Sequence, residues 1–186
     1  MKKLSIILAA TFFAVSLLSL NACKKTSDAV KPTLYDSLGG TTLVADPTGS
    51  AGTTIEKGRL LIRSIIDSTI FVIAGDTAIN GHFTVLLSEV GKNNYSGFMA
   101  LSKNLTDFVA VATGAKNFTY GGKSMVAAHD PAQNARMNMK ADNSDFNAFE
   151  NDLVKGAAKN GVTTSNPALV SVANLVESLR SKVVQQ

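Results

Sequence analysis

His129 is one of only two histidines in the chain, and it sits where an imidazole can act on something held against an apolar wall. Upstream, Phe98, Leu101, Leu105, Phe108, Val109 and Ala112 recur mostly at steps of three and four, which places all six on one face of a helix. Thr113-Gly114-Ala115 and an irregular aromatic stretch, Phe118-Thr119-Tyr120, follow. Gly121-Gly122 comes next, where positive φ costs little. Met125-Val126-Ala127-Ala128-His129 then reads as one or two helical turns stopped by Pro131, which forbids an ordinary continuation. The histidine therefore closes a short helix and can point at whatever the stripe covers. Taken alone, it is more simply a helix-end residue that caps carbonyls or meets solvent beside Asp130.

Other reactive side chains are sparser. Met137 and Met139 in Ala135-Arg136-Met137-Asn138-Met139-Lys140 resemble a soft-metal clamp for copper, although two thioethers in a polar stretch more often fill gaps in a core. Asp142, Asp145, Glu150 and Asp152 are scattered helix-start and surface acids rather than a catalytic pair. No Gly-x-Ser-x-Gly, His-Glu-x-x-His or paired-cysteine metal motif occurs, so a hydrolytic enzyme is the weakest reading.

A chain of 186 residues with 45% hydrophobic content suits one domain with a proper core. Met1-Lys2-Lys3 and the apolar run Leu4 to Leu20 have the charged start and short hydrophobic centre of a secretory leader, too short to favour a membrane span. Leu20-Asn21-Ala22-Cys23 resembles the lipobox that precedes cleavage of bacterial lipoproteins. Cys23 is the only cysteine, so no internal disulfide forms, and it is expected to carry the lipid; the alternative is an ordinary leader cut that happens to precede a cysteine. Residues 1–22 are thus expected to be a signal peptide, 23–33 a tether and 34–186 the domain. Lys24-Lys25 follows the cysteine with no aspartate directly after it, which favours the outer membrane of a Gram-negative envelope. The formal charge is +4, but losing Lys2 and Lys3 leaves 18 − 2 = 16 basic against 14 acidic residues, no case for nucleic-acid binding.

Among the elements that must position His129, Ala45 to Thr54 reads as a polar, glycine-rich loop. Ile55 to Ile73 carries an imperfect helical period that ends at Gly75-Asp76, with the β-branched run Ile70-Phe71-Val72-Ile73 as its one strand-like stretch. Ile79 to Ser96 is expected to be a connector with a half-ordered apolar patch. Asn143 onward gives a helix through Phe146, Phe149, Leu153 and Ala157, with Asp142 or Ser144 as its cap and Gly161 as its stop. A last helix starts near Ser165 or Asn166, takes Pro167 in its first turn and runs to Val183. Asn94, Asn104 and Asn117 head Asn-x-Ser/Thr triplets that matter only in a eukaryotic secretory pathway.

The order of these parts resembles the truncated (group 1, two-over-two) globins. Leu34-Tyr35-Asp36-Ser37-Leu38-Gly39-Gly40-Thr41-Thr42 matches the family's opening signature. Phe108 to Ala115 matches the end of its distal helix, Tyr120 to Gly122 its Tyr-x-Gly segment, and Met125 and His129 its methionine and iron-ligating histidine. Asp145 to Leu153 looks like the start of the penultimate helix and Asn160-Gly161-Val162 like the break before the last. The resemblance spans Leu34 to about Val184, densest from Phe98 onward, with the stretch after Ala45 and the connector before Ser96 as insertions.

It implies an all-α, two-over-two helical sandwich that binds haem b, with His129 as the proximal iron ligand. Phe98, Leu101, Leu105, Phe108 and Val109 would form the distal wall and Phe83 would wedge the ring. Met125 and Val126 would lie under the proximal face, and Phe146 and Phe149 would close the pocket from behind. Lys116, Lys123 or Arg136 would meet the propionates. His82, beside Phe83, is expected at the surface, with a distal ligand as the lesser reading. The family commonly holds oxygen with a tyrosine on the second helix and a glutamine on the distal one, whereas Ile70, Leu101 and Leu105 stand there in this chain, and none can donate a hydrogen bond. Tight oxygen storage is thereby disfavoured relative to carbon monoxide or nitric oxide. The expected role is an envelope-anchored globin handling a diatomic gas, with an unidentified reductase as a possible partner. The alternative is a haem-free globin-fold lipoprotein acting as a binding or assembly module.

Overall fold

The structure, a computed structural model, describes residues 31–186. The leader at 1–22, Cys23 and the tether residues 24–30 lie outside the described residues. Eight α-helices and one small hairpin follow in the order α1 (Leu34–Ser37), β1 (Leu43–Ala45), β2 (Thr54–Glu56), α2 (Lys57–Gly75), α3 (Thr84–Gly91), α4 (Ser96–Ala112), α5 (Met125–Ala128), α6 (Asn143–Ala158), α7 (Pro167–Glu177) and α8 (Arg180–Val183). Among the described residues no single helix is long and apolar enough to cross a membrane.

The segment Leu34 to Gly40 forms α1 and a turn that docks α1 on the start of α2. Thr33 and Asp36 cap α1 reciprocally, a capping box that satisfies two backbone donors at once. Gly39 and Gly40 take φ of +121° and +58°, conformations that strain any residue with a Cβ. The turn they make brings Gly40 N–H to Tyr35 O at 2.9 Å and Gly58 N–H to Gly40 O at 3.0 Å, so the start of α2 is stitched to α1. Tyr35 is thereby buried to 1% exposure and packs with Leu38, Ile62, Ile66, Ile70, Ala110 and Ala168.

The expected polar loop is present at Asp46 to Thr53, and it is the tip of a hairpin whose two short strands the sequence did not suggest. Leu43, Val44 and Ala45 pair antiparallel with Glu56, Ile55 and Thr54, leaving Asp46 to Thr53 as the loop. Asp46 is pinned to α2 by Arg63 at 2.8 Å, and that guanidinium holds the carboxyl well below the usual carboxylate range. Ile55 therefore belongs to a strand rather than to the helix that its spacing suggested. The connector expected to be half-ordered is also regular, a 3-10 turn at Asn80–Phe83 leading directly into α3.

The long α2 packs against α4 on one side and α6 on the other. Against α6 the approach is close at Gly156, where a Cβ would collide with Thr69. Helix α6 begins with a second capping box, Asp142 and Asp145, and Asn160 beyond its end donates to Ser64 O at 3.1 Å and Ser68 Oγ at 2.9 Å on α2. Asn166 caps α7 with Pro167 in its first turn, as expected, but the last helix is not continuous: it breaks at Ser178 and Leu179 before α8.

Candidate functional site

Burial on α4 is inverted relative to polarity. Its deeply buried positions are Gly97, Ser102, Thr106, Asp107 and Ala110, while Phe98, Leu101, Leu105, Phe108 and Val109 remain half-buried. The polar side faces α2, where Ser102 Oγ donates to Asp67 Oδ1 at 2.5 Å and Asp107 pairs with Arg59 at 2.6 Å. The apolar stripe packs in part against the core around Ile66 and Ile70 and otherwise borders a cavity of about 400 Å³ bounded by α2, α3, α4, α5, α6 and the last two helices. That volume lies within the range of pockets that hold small organic ligands, roughly 300–1,000 Å³.

His129 lines this cavity. Ser124 caps the single turn of α5 by accepting from Ala127 N–H at 3.2 Å, and His129 ends that turn with its Nδ1 2.8 Å from Met125 O. A carbonyl only accepts, so Nδ1 carries the proton and Nε2 keeps its lone pair. No described residue hydrogen-bonds Nε2. Burial pushes the pKa of His129 below the ordinary histidine value, which keeps the ring neutral. Asn134 Nδ2 donates to Ala128 O at 2.7 Å and holds the turn from its far side. His129 does cap a carbonyl, Met125 O, as the simpler reading of a helix-end residue expected. It does so with one nitrogen, leaving the other unspent beside an apolar space rather than in solvent.

Phe83, Phe98, Leu101, Leu105, Phe108, Val109, Met125, Phe146 and Phe149 all line the same cavity. Phe146 is 3% exposed and sits beneath the Arg180 guanidinium, 4.3 Å from the ring centroid. Val126 does not belong to this set. It is 47% exposed, because a single turn that aims Met125, Ala128 and His129 inward must turn the intervening residue outward. Ala112 is likewise exposed at the end of α4. Of the propionate candidates, Lys123 and Arg136 line the cavity and Lys116 does not. Met137 lines the cavity whereas Met139 is exposed, and among the described residues no group of three or more His, Cys, Asp or Glu could hold a bare metal ion.

His82 overturns its expected surface placement. It is 4% exposed and lines the cavity, with Nε2 3.0 Å from Asp145 Oδ2 and Nδ1 3.3 Å from Met139 O. Both nitrogens are directed at protein oxygens and so are turned away from an occupant of the cavity. Asp145, read from sequence as a helix-start acid, also closes the capping box of α6 by accepting from Asp142 N–H at 2.9 Å. The same carboxylate therefore ties the connector to α6. Leu86, Leu87 and Val90 of α3, together with Val176, Leu179 and Val183, complete the wall. Their helical spacing within the connector was the available signal for the first three.

The hydrogen-bond donors around the cavity are mostly spent. The Tyr120 hydroxyl donates to Lys123 O at 2.5 Å, and its ring stands edge-on to Phe108 at 5.4 Å. Gly121 and Gly122 do not take positive φ; Gly122 is required because a Cβ there would lie 2.5 Å from the Tyr120 hydroxyl. Ile70, Leu101 and Leu105 line the interior and donate nothing. What remains is the amide of Asn104, the amine of Lys123 and the terminal nitrogens of Arg136, all on exposed residues.

The site is thus an apolar cavity among the helices, bordered by a histidine whose Nε2 has no partner among the described residues. Comparison with solved structures identifies the fold. The chain is similar to a truncated hemoglobin from Tetrahymena pyriformis, determined as a tyrosine-to-phenylalanine variant in the Fe(III) form, with a TM-score of 0.57 and 20% sequence identity over 83% of this chain and 100% of that one. The described part of the chain therefore has the truncated-globin fold. No family model matches the chain, and no curated protein does.

Proposed function

We propose that this chain is an envelope-anchored, haem-binding globin that handles small diatomic gases. The observation that carries the reading is His129, whose Nδ1 is committed to Met125 O at 2.8 Å while Nε2 stays free beside a cavity of about 400 Å³. The residues present fit haem b: a neutral imidazole on one side, half-buried leucine and phenylalanine side chains for the faces of a flat macrocycle, and Lys123 and Arg136 for its carboxylates. Haem, when bound, supplies an electron-rich iron centre to which a diatomic gas can add.

The chain's own residues would do the rest. His129 would orient the group through a fixed tautomer. Phe83, Phe98, Leu101, Leu105, Phe108 and Val109 would exclude water from it, with Met125, Phe146 and Phe149 completing the enclosure. Ile70, Leu101 and Leu105 would leave a polarised gas without a donor. A hydrogen bond to a charged acceptor is worth about 1.5–3 kcal/mol, so its absence favours nitric oxide or carbon monoxide over oxygen by roughly ten- to a hundredfold relative to a site that has one. Lipid attachment at Cys23 would place the domain beside the membrane, in the outer membrane on the expectation drawn from Lys24-Lys25, with an unidentified reductase as its redox partner.

Purified protein supplied with haem should develop a Soret absorbance band that His129→Ala removes or shifts to the spectrum of unligated haem. An unchanged spectrum in that variant would refute the ligand assignment, and the absence of any band in the parent protein would leave the haem-free binding module. Cys23→Ser should move the protein from the membrane fraction to the soluble fraction.

A further inference from the structure

We propose that the outer face of α4, with Phe71 of α2 beside it, lies on the lipid surface to which the chain is tethered, so that the cavity opens against the bilayer. The inference rests on the anchored reading of Cys23 and names the face of the domain that meets the membrane.

Three observations carry it. First, the solvent side of α4 is weakly polar and presents no acid. Met99, Ala100, Lys103, Val111 and Ala112 are exposed along it, and the one aspartate of the helix, Asp107, is buried. Arg59 and Lys103 both pair with Asp107 at 2.6 Å, so the three together carry one net positive charge. At the N-terminal end of the helix Phe71 and Met99 are each 66% exposed and Tyr95 is 51% exposed, and the Phe71 ring packs on Phe98 at 5.4 Å. Exposed aromatic and thioether side chains beside a cation suit the boundary between acyl chains and anionic headgroups.

Second, the tether leaves from the far end of this same helix. Tyr35 N–H donates to Thr113 O at 2.8 Å, and a Cβ on Gly114 would lie 2.8 Å from Thr33 Cβ. The start of the domain is therefore fixed beside the C-terminal end of α4. Nine residues, 24–32, separate Thr33 from Cys23. Fully extended they reach about 30 Å, and α4 is about 26 Å long. A tether of that reach keeps the whole length of α4 within range of the surface that holds Cys23.

Third, this face and the cavity share residues. Phe71, Ala100 and Asn104 are exposed and also line the cavity. Apolar solutes are favoured in hydrocarbon over water. A docked α4 thus lets a diatomic gas reach the cavity from the bilayer, where it is more concentrated than in the solvent.

The test uses the chain from residue 24 onward, which has no cysteine and includes the compact unit Pro32–Gln186. An N-terminal histidine tag holds it on vesicles of phosphatidylethanolamine, phosphatidylglycerol and a nickel-chelating lipid. The tag supplies a tether whether or not Cys23 is acylated. Failure of the anchored reading, seen if Cys23→Ser leaves the protein in the membrane fraction, is therefore a separate result. A bimane label at Met99→Cys should be quenched by brominated acyl chains at least about threefold more than the same label at Val170→Cys, a half-exposed apolar position on α7. Phe71→Glu and Tyr95→Glu, each added to Met99→Cys, should lower that quenching about twofold or more, whereas Leu43→Glu on the hairpin should leave it unchanged. Equal quenching at the two labelled positions, or none at either, would overturn the docked face, and so would Phe71→Glu and Tyr95→Glu variants quenched like the parent. Shielding of the Met99→Cys label that grows with protein concentration without vesicles would show a second copy covering the face, and would overturn the membrane as its occupant.

Discussion

Replacing Tyr35 by phenylalanine isolates one buried hydrogen bond in the opening signature. The Tyr35 hydroxyl donates to Glu56 Oε2 at 2.7 Å, and Asn117 Nδ2 donates to the other carboxylate oxygen at 2.6 Å. Tyr35 is 1% exposed and Glu56 8%, so water does not replace a missing donor. The phenyl ring fits the same space against Gly58, and only the hydroxyl is lost. A hydrogen bond to a charged group contributes about 1.5–3 kcal/mol, and the cost is at the upper end when the acceptor stays buried and unpaired. For a domain of this size that corresponds to a fall in Tm of roughly 3–12 °C.

The same variant carries a pH signature. Burial first, and the adjoining Glu56 carboxylate second, push the Tyr35 pKa above its ordinary value of 10.0. A group whose folded pKa is raised contributes stability that is fully present below its unfolded pKa and declines as pH rises toward the folded one. The parent protein should therefore lose stability above about pH 10 at up to about 1.36 kcal/mol per pH unit from this residue, a loss that phenylalanine cannot show. Urea titrations of both proteins at pH 7, 9, 10 and 11 measure it. The advantage of the parent should be flat to pH 9 and shrink above pH 10. A difference below about 0.5 kcal/mol at pH 7, or one that does not change with pH, would refute the role given to this hydrogen bond.

Gly156→Ala should destabilise the fold by about 1–3 kcal/mol despite alanine's better helix propensity, because the new Cβ meets Thr69 backbone at 2.8–2.9 Å, which side-chain rotation cannot relieve; urea midpoints decide it. Asp145→Ala removes both the reciprocal cap of α6 and the acceptor of His82 Nε2, and should cost about 1–3 kcal/mol, with altered near-ultraviolet dichroism from the aromatic wall. In haem-loaded protein, Leu105→Gln should slow oxygen dissociation roughly tenfold or more while changing carbon monoxide dissociation far less, measured by stopped-flow displacement; equal changes for both gases would mean that no donor was delivered to the ligand.

Much of this was legible because it rests on local rules. The stripe on α4 and the short helix ending at His129 follow from period and from Pro131, and the caps Asp142 and Asn166 from residue type. What escaped reading was decided by tertiary contact. Ile55 fits the helical period of α2 until it pairs with Val44 across the hairpin, and Arg63 fixes that hairpin through a partner 17 residues away. His82 looks like a surface residue because Asn80 and Gly81 precede it, and only the approach of α6 supplies Asp145 and Met139 O to its ring. The last helix has no proline or glycine at its break, so its spacing continued straight through Ser178. Gly122 looks in sequence like a turn glycine, whereas in the structure its missing Cβ admits the Tyr120 ring.

The inverted burial of α4 explains why the sequence pattern alone pointed to a site. A helix stabilised only by its own core would bury Leu101, Leu105 and Phe108 fully and leave Ser102 and Thr106 to water. Here Thr106 is 1% exposed with no hydrogen-bond partner for its hydroxyl, and Asp107 is 5% exposed. The chain therefore buries polar groups against α2, while Phe98, Leu101, Leu105 and Val109 divide their contacts between the core and a space the protein does not fill. Such an arrangement loses contacts on every wall of the cavity unless something apolar occupies it. Any ligand that enters the folded state alone is then coupled to stability through its concentration and affinity. The half-buried stripe and the unspent Nε2 of His129 border the same cavity, and both fit the occupant proposed for it.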